Sequence, residues 1–172
     1  KVDRVMEGAL RGLADGLDPD SAYLPPPLLR EAQSGAPLPD GDVGIELTRQ
    51  FYLRVIAARD GSPAAKAGLQ TGDYGRAIDS KPTREMSVFE GNRLLHGQPG
   101  SKVMLTIIRG NAADPHQLTL VREKPSGPIV SGKMIGTDNG YIRIAAFGPT
   151  VAADLRKQAT ELVGSGAKAL IV

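Results

Sequence analysis

Residues 41–79 constrain the fold more than any other stretch of the chain. They open with Gly41-Asp42-Val43-Gly44-Ile45-Glu46-Leu47, where two glycines lead into alternating apolar positions, the pattern of a loop running into a half-buried strand. A second apolar run at 53–57 is followed by Asp60-Gly61-Ser62-Pro63. Ser62 is placed to cap a helix and Pro63 to begin it, because the first helical N–H has no partner to lose. Residues 64–67 give one helical turn, which Gly68 can end in the left-handed conformation. Gly72-Asp73 turns the chain again, and Ala77-Ile78-Asp79 resumes a strand. Loop, strand, strand, short helix, strand is the expected order.

Glycines at 41 and 44 allow the N–H groups of Val43, Gly44 and Ile45 to converge on one point as an anion nest. A peptide's terminal carboxylate fits such a nest, with the peptide backbone pairing along Ile45-Glu46-Leu47 as an added strand. The simpler alternative is a hairpin loop whose glycines serve only the turn. The whole block resembles a PDZ domain. Downstream, Ser87 and Glu90 form a capping box that opens a helix, and Gly97 provides its stop. Val88, Asn92 and Leu95 stand at i, i+4 and i+7 on one face, while Gly91 and Leu94 are expected to point to the core. The resemblance implies that the Val88 face borders a peptide groove opposite Ile45 and Leu47. The implied peptide-binding set is Val43, Gly44, Ile45, Glu46, Leu47, Val88, Asn92 and Leu95. Two positions depart from the family pattern: Asn92 puts an amide where a small or apolar residue is usual, and Tyr74-Gly75-Arg76 replaces an apolar run, which predicts a looser edge there. Strands at 102–109 and 117–122, joined by a loop at 110–115, complete the sheet near Lys124.

Ahead of this block, Val2, Val5, Met6, Ala9, Leu10, Leu13 and Leu17 fall on one helical face, and Asp18-Pro19 prevents continuation. Gly8, Gly12 and Gly16 recur on a neighbouring face at about 1 kcal/mol each for interior glycines, so the helix needs support from its own domain or from a second copy. Homo-oligomerisation through this helix and docking on its own domain both remain open. Leu17-Asp18-Pro19-Asp20-Ser21-Ala22-Tyr23-Leu24 resembles the region before the PDZ domain of carboxy-terminal processing serine peptidases, with Asp20 where that family usually has histidine. A short helix at 28–33 and a linker at 34–41 follow.

Pro125-Ser126-Gly127-Pro128 reads as a boundary. Strands at 129–135 and 141–144 flank Thr137-Asp138-Asn139-Gly140, a hairpin turn signal. A helix at 150–163 and a strand at 168–172 then form a parallel crossover. Asn139-Gly140-Tyr141-Ile142-Arg143-Ile144 and residues 166–172 resemble the opening of the same peptidases' catalytic domain. The expected fold is therefore α+β: an N-terminal helical region at 1–40, a PDZ domain (a small, partly open β-barrel with two helices) at 41–124, and an incomplete α/β protease-core segment at 125–172. Lys1 opens inside a helical pattern and Val172 falls inside a strand pattern, which predicts a piece of a longer protein.

The resemblance implies a serine endopeptidase using a Ser–Lys dyad, with both dyad residues in motifs past Val172 and no catalytic residue here. It implies binding of the C-terminal segments of protein substrates, delivery to or gating of that site, no cofactor, and an extracytoplasmic setting, periplasmic or membrane-associated, in bacteria. A non-catalytic PDZ adaptor is the alternative; a trypsin-like PDZ protease fits less well, since its PDZ domains normally follow the protease domain. Ser165-Gly166-Ala167-Lys168 matches a Ser-x-x-Lys pattern, but it lies in a glycine-flanked connection where the side chains are not expected to align. His96 and His116 have no metal-ligand spacing. A net charge of +2 and 4 % aromatics argue against nucleic acid as a partner. The absence of cysteine leaves no thiol nucleophile and no zinc–thiolate site.

Overall fold

The computed structural model describes residues 2–110, 114–145 and 147–172. Lys1, Ala146 and residues 111–113 of the expected loop at 110–115 lie outside the described residues. The chain divides into two compact units, Lys1–Pro125 and Ser126–Val172.

The first unit opens with α1 (Val2–Asp15) and α2 (Pro26–Ser34). Helix α2 begins at its proline pair and ends at Gly35, whose φ of 61° only glycine adopts at no steric cost. A six-stranded sheet follows, built from β1 (Ile45–Gln50), β2 (Tyr52–Ala58), β3 (Tyr74–Ile78), β4 (Lys81–Pro82), β5 (Lys102–Ile108) and β6 (His116–Val121). Its order is β1-β2-β3-β5-β6, with β4 paired to β3 and all pairs antiparallel. Two helices accompany it, α3 (Pro63–Lys66) and α4 (Val88–Leu95). The caps are those the sequence specifies: Ser62 accepts from Ala65 N at 3.2 Å, and Ser87 exchanges hydrogen bonds with Glu90.

The core gathers the inward positions of the strands and one side of α4, with Val43, Leu53, Val55, Leu95, Val103, Leu105 and Ile107 nearly inaccessible. Strand β5 alternates throughout, burying Val103, Leu105 and Ile107 while Met104, Thr106 and Ile108 stay half-exposed, as a sheet packed on one face requires. Tyr74-Gly75-Arg76 does not form a loose edge. It belongs to β3, which is flanked by β2 and β5, and the sheet absorbs Arg76 as an irregularity between Gly75 and Ala77. Buried Thr83 donates its hydroxyl to the Gly75 carbonyl beside the irregularity. Asp79 does not continue the strand; with φ of 46° and 65°, Asp79 and Ser80 make the turn into β4.

The second unit holds β7 (Val130–Ile135), β8 (Asn139–Ile144), α5 (Val151–Gly164) and β9 (Ala169–Ile171). Strands β7 and β8 are antiparallel, and β9 lies parallel to β8 after the α5 crossover. The hairpin turn sits earlier than the Asn-Gly signal suggests. Residues 136–138 turn, Gly136 takes the positive φ of 63°, and Asn139-Gly140 already belong to β8. Gly140 is needed for another reason, since a Cβ there would lie 2.8 Å from Leu170 and 3.0 Å from Leu162. Val130, Ile142, Val151 and Leu162 form this unit's own small core.

Candidate peptide-binding groove

Strand β1 is the outer strand of its sheet, and α4 packs against it. One residue sets how closely. A Cβ on Gly91 would lie 2.4 Å from Leu53 Cδ1 and 3.1 Å from Leu47 Cδ1, so the α4 backbone rests directly on these leucines. The face of α4 that carries Gly91 also carries Leu95 four residues on, and Leu95 is only 2 % exposed. Leu95 therefore belongs to the core beneath the groove and offers no open slot lining. Val88 and Asn92 are half-buried on α4, and Ile45 and Leu47 are half-buried on β1, packed against the core. Glu46 between them is exposed. Leu94, expected in the core, is half-buried and packs against it.

The glycine loop at the head of β1 is fixed from three sides. Gly41 and Gly97 exchange both backbone hydrogen bonds at 2.9 Å, which ties the loop to the chain just past α4. A Cβ on Gly41 would sit 2.5 Å from the Gly97 oxygen, so this close pairing requires glycine. Asp42 makes the same reciprocal pair with Glu123 at 3.0 and 2.9 Å. Val43 turns its side chain wholly inside, and its carbonyl accepts from Ala64 N at 3.0 Å. Gly44 has φ of 74°, and a Cβ there would collide with Ser62 Cβ at 2.3 Å. Conformation and close approach thus both demand glycine at 44.

The loop's donors are not all open. Gly44 N–H donates to Asp42 Oδ1 at 2.5 Å, and the other Asp42 oxygen pairs with the Arg59 guanidinium at 2.9 Å. Neither Arg59 nor the Asp42 side chain is marked by local sequence pattern; a long-range turn from β2 brings them together.

Two further charged contacts brace α4, and a third ties Asp73 to Arg109 elsewhere in the unit. Arg122 is 8 % exposed and donates to the carbonyls of Leu94 at 2.7 Å, Leu95 at 3.0 Å and Lys102 at 2.7 Å, and to Ser101 Oγ at 3.0 Å. It therefore satisfies carbonyls that the end of α4 would otherwise leave unpaired. At the other end, the Glu90 carboxylate accepts from Ser87 N at 2.9 Å and lies 3.5 Å from Arg11 of α1. The leader helix thus touches the cap of the groove helix. Below the β2–β3 turn, buried Asp73 receives Arg109 through two bonds of 2.7 Å and Gln70 N–H at 2.9 Å. Burial alone pushes the Asp73 carboxyl up, but the Arg109 and Gln70 hydrogen bonds outweigh it and hold the group below its ordinary range.

The Ser-x-x-Lys match is not brought together as a pair. Ser165 donates to the Glu161 carbonyl at 2.8 Å, whereas Lys168 is bound to Asp138 at 3.0 Å. His96 Nδ1 contacts the Asn92 carbonyl at 2.8 Å. Among the described residues no group of His, Cys, Asp and Glu is arranged to hold a metal ion.

An edge strand, a facing helix and a glycine loop between them define the chain's class: it carries a PDZ domain, whose family pattern matches residues 54–109. The remainder of the chain is matched as well. The chain is 30 % identical over 154 residues to a carboxy-terminal-processing protease of Bartonella bacilliformis, covering 89 % of this chain and 35 % of that protein. A carboxy-terminal processing protease of Bacillus subtilis is 26 % identical over 172 residues, covering 99 % of this chain and 37 % of the relative. The solved structure of a photosystem II D1 C-terminal processing protease superposes with a TM-score of 0.76 at 26 % identity, over 95 % of this chain and 47 % of that one. The chain belongs to the carboxy-terminal processing proteases, and it spans about a third of the length of the curated relatives it matches.

Proposed function

We propose that the PDZ unit recruits the C-terminal ends of protein substrates for a carboxy-terminal processing serine endopeptidase and delivers them to, or gates, its Ser–Lys site. The observation that carries this reading is the outer position of β1, facing α4, with the glycine loop at its head. A peptide laid along Ile45, Glu46 and Leu47 extends the sheet, and its last side chain meets Ile45, Leu47, Val88 and Asn92. Burying one apolar side chain there contributes about 1.5–3 kcal/mol. Micromolar affinity needs about 8 kcal/mol, so strand pairing and capture of the terminus must contribute the larger share. Such a balance suits transient recruitment. The separate hydrogen bonds of Ser165 and Lys168 support the further reading that residues 1–172 do not themselves hydrolyse peptides. The family resemblance is the ground for extending this reading to action outside the cytoplasmic membrane; among the described residues no helix is long and apolar enough to cross one.

The reading is tested by fluorescence anisotropy with a labelled peptide that ends in small apolar residues. Binding at micromolar or weaker affinity is expected, and Val88→Lys, which places a charged chain in the groove, should weaken it by about tenfold or more. Equal affinity for wild type and Val88→Lys moves the peptide elsewhere and ends the groove reading.

A further inference from the structure

The glycine loop contains a carboxylate already, and it is the protein's own. Asp42 Oδ1 accepts from Gly44 N–H, one of the donors a ligand's terminus needs, and Asp42 Oδ2 is paired with Arg59. The arrangement is built rather than incidental. The Asp42 side chain is 13 % exposed, its backbone is held on both sides by Glu123, and the Arg59 terminal nitrogen lies 3.3 Å from where a Gly44 Cβ would stand. Arg59 N also donates to the Gly44 carbonyl at 2.8 Å, which keeps the guanidinium beside the loop.

We propose that Asp42 is an internal competitor for the carboxylate position, and that Arg59 decides between it and an incoming C-terminus. The inference rests on the groove reading above. Two carboxylates within a few ångströms repel, and an N–H already engaged must be released before it can serve a ligand. A free C-terminus therefore binds only by displacing Asp42 from Gly44 N–H, after which Arg59 is released to pair with the newcomer. The groove of the unaltered chain discriminates poorly between a peptide acid and its amide, because the gain from the ligand's charge is offset by the loss of Asp42's contacts. The loop holds C-termini briefly and weakly, and a second interaction along β1 is needed to keep a substrate in place.

The test titrates one labelled hexapeptide with small apolar C-terminal residues, as free acid and as amide, against the full chain and three variants. Wild type should prefer the acid by less than about threefold. Asp42→Asn, isosteric and still able to accept from Gly44 N–H, removes the competing charge and should tighten the acid about tenfold with the amide unchanged. Adding Arg59→Gln to Asp42→Asn should return the ratio towards one. Thermal melts of each variant check that the fold is kept. If wild type already prefers the acid by about tenfold, or Asp42→Asn leaves the ratio unchanged, the proposal is overturned, while loss of both peptides in Val88→Lys keeps the groove reading. If no form binds either peptide, the groove reading falls and takes this proposal with it.

Discussion

Helix α4 buries Gly91 and Leu95 against the core, whereas α1, the more sharply amphipathic of the two, has no buried residue at all. Val2, Val5, Met6, Leu13 and Leu17 are all more than half exposed. What holds α1 in place is its other face: Arg11 donates to the Glu85 carbonyl at 2.6 Å, and Asp15 pairs with Arg49 at 2.6 Å. The same periodic signal in the sequence thus has two outcomes. A helical apolar stripe says that a face can be covered, and only packing says by what. In α4 the stripe packs into the core beneath the proposed groove; in α1 it is left to solvent while partly exposed ion pairs, each worth about 1 kcal/mol or less, do the attaching.

The largest test of this contrast is Leu95→Ala. Removing a side chain that is 2 % exposed should destabilise the first unit by about 3 kcal/mol through lost burial and the cavity left behind. Denaturant unfolding would show this as a lower midpoint at an unchanged slope. A loss below about 1 kcal/mol would mean that Leu95 faces the groove as an open lining residue, and the core assignment would have to be given up.

The next test makes one chemical change in both helices. Gly91→Ala must push α4 away from Leu53 and Leu47, and overpacking of this kind costs about 1–3 kcal/mol, more than the ~1 kcal/mol gained in helix propensity. Gly8→Ala on α1 meets nothing within 4 Å, so it should stabilise by about 0.5–1 kcal/mol. Opposite signs sharpen the comparison; stabilisation at both sites would show that the groove helix is not seated as closely as Gly91 requires.

Much of this was readable beforehand because it is local. The Ser62-Pro63 cap, the Ser87–Glu90 capping box and the alternation of β5 depend on neighbours a few residues apart, where side-chain chemistry dictates backbone geometry. The parallel β8–α5–β9 crossover followed from periods and lengths. What the sequence hid was set by distant partners. Asp42 looks like a turn residue until Arg59 is brought beside it, and Arg122 looks like a strand-end charge until it lies under the carbonyls of Leu94 and Leu95. Helical spacing groups Leu95 with Asn92 and Gly91 alike, and only the contact of Gly91 with Leu53 decides which face is inward. Gly75 suggests weakness, yet β3 is flanked on both sides and the Thr83 hydroxyl donates to the Gly75 carbonyl.

The smallest expected effect bears on α1 most directly. Val5 is 73 % exposed, so Val5→Ser removes little buried area and exchanges two residues of similar helix propensity. Its unfolding free energy should stay within about 0.5 kcal/mol of wild type in a dilute sample, in contrast to Leu95→Ala. Repeating both measurements over a hundredfold range of protein concentration separates the ways in which this can fail. A wild-type midpoint that climbs with concentration, and a Val5→Ser midpoint that does not, means that a second copy covers the stripe, since only a species bound to the folded state links stability to concentration. A loss above about 1.5 kcal/mol at every concentration means that Val5 is buried within its own chain, which ends the contrast between the two helices.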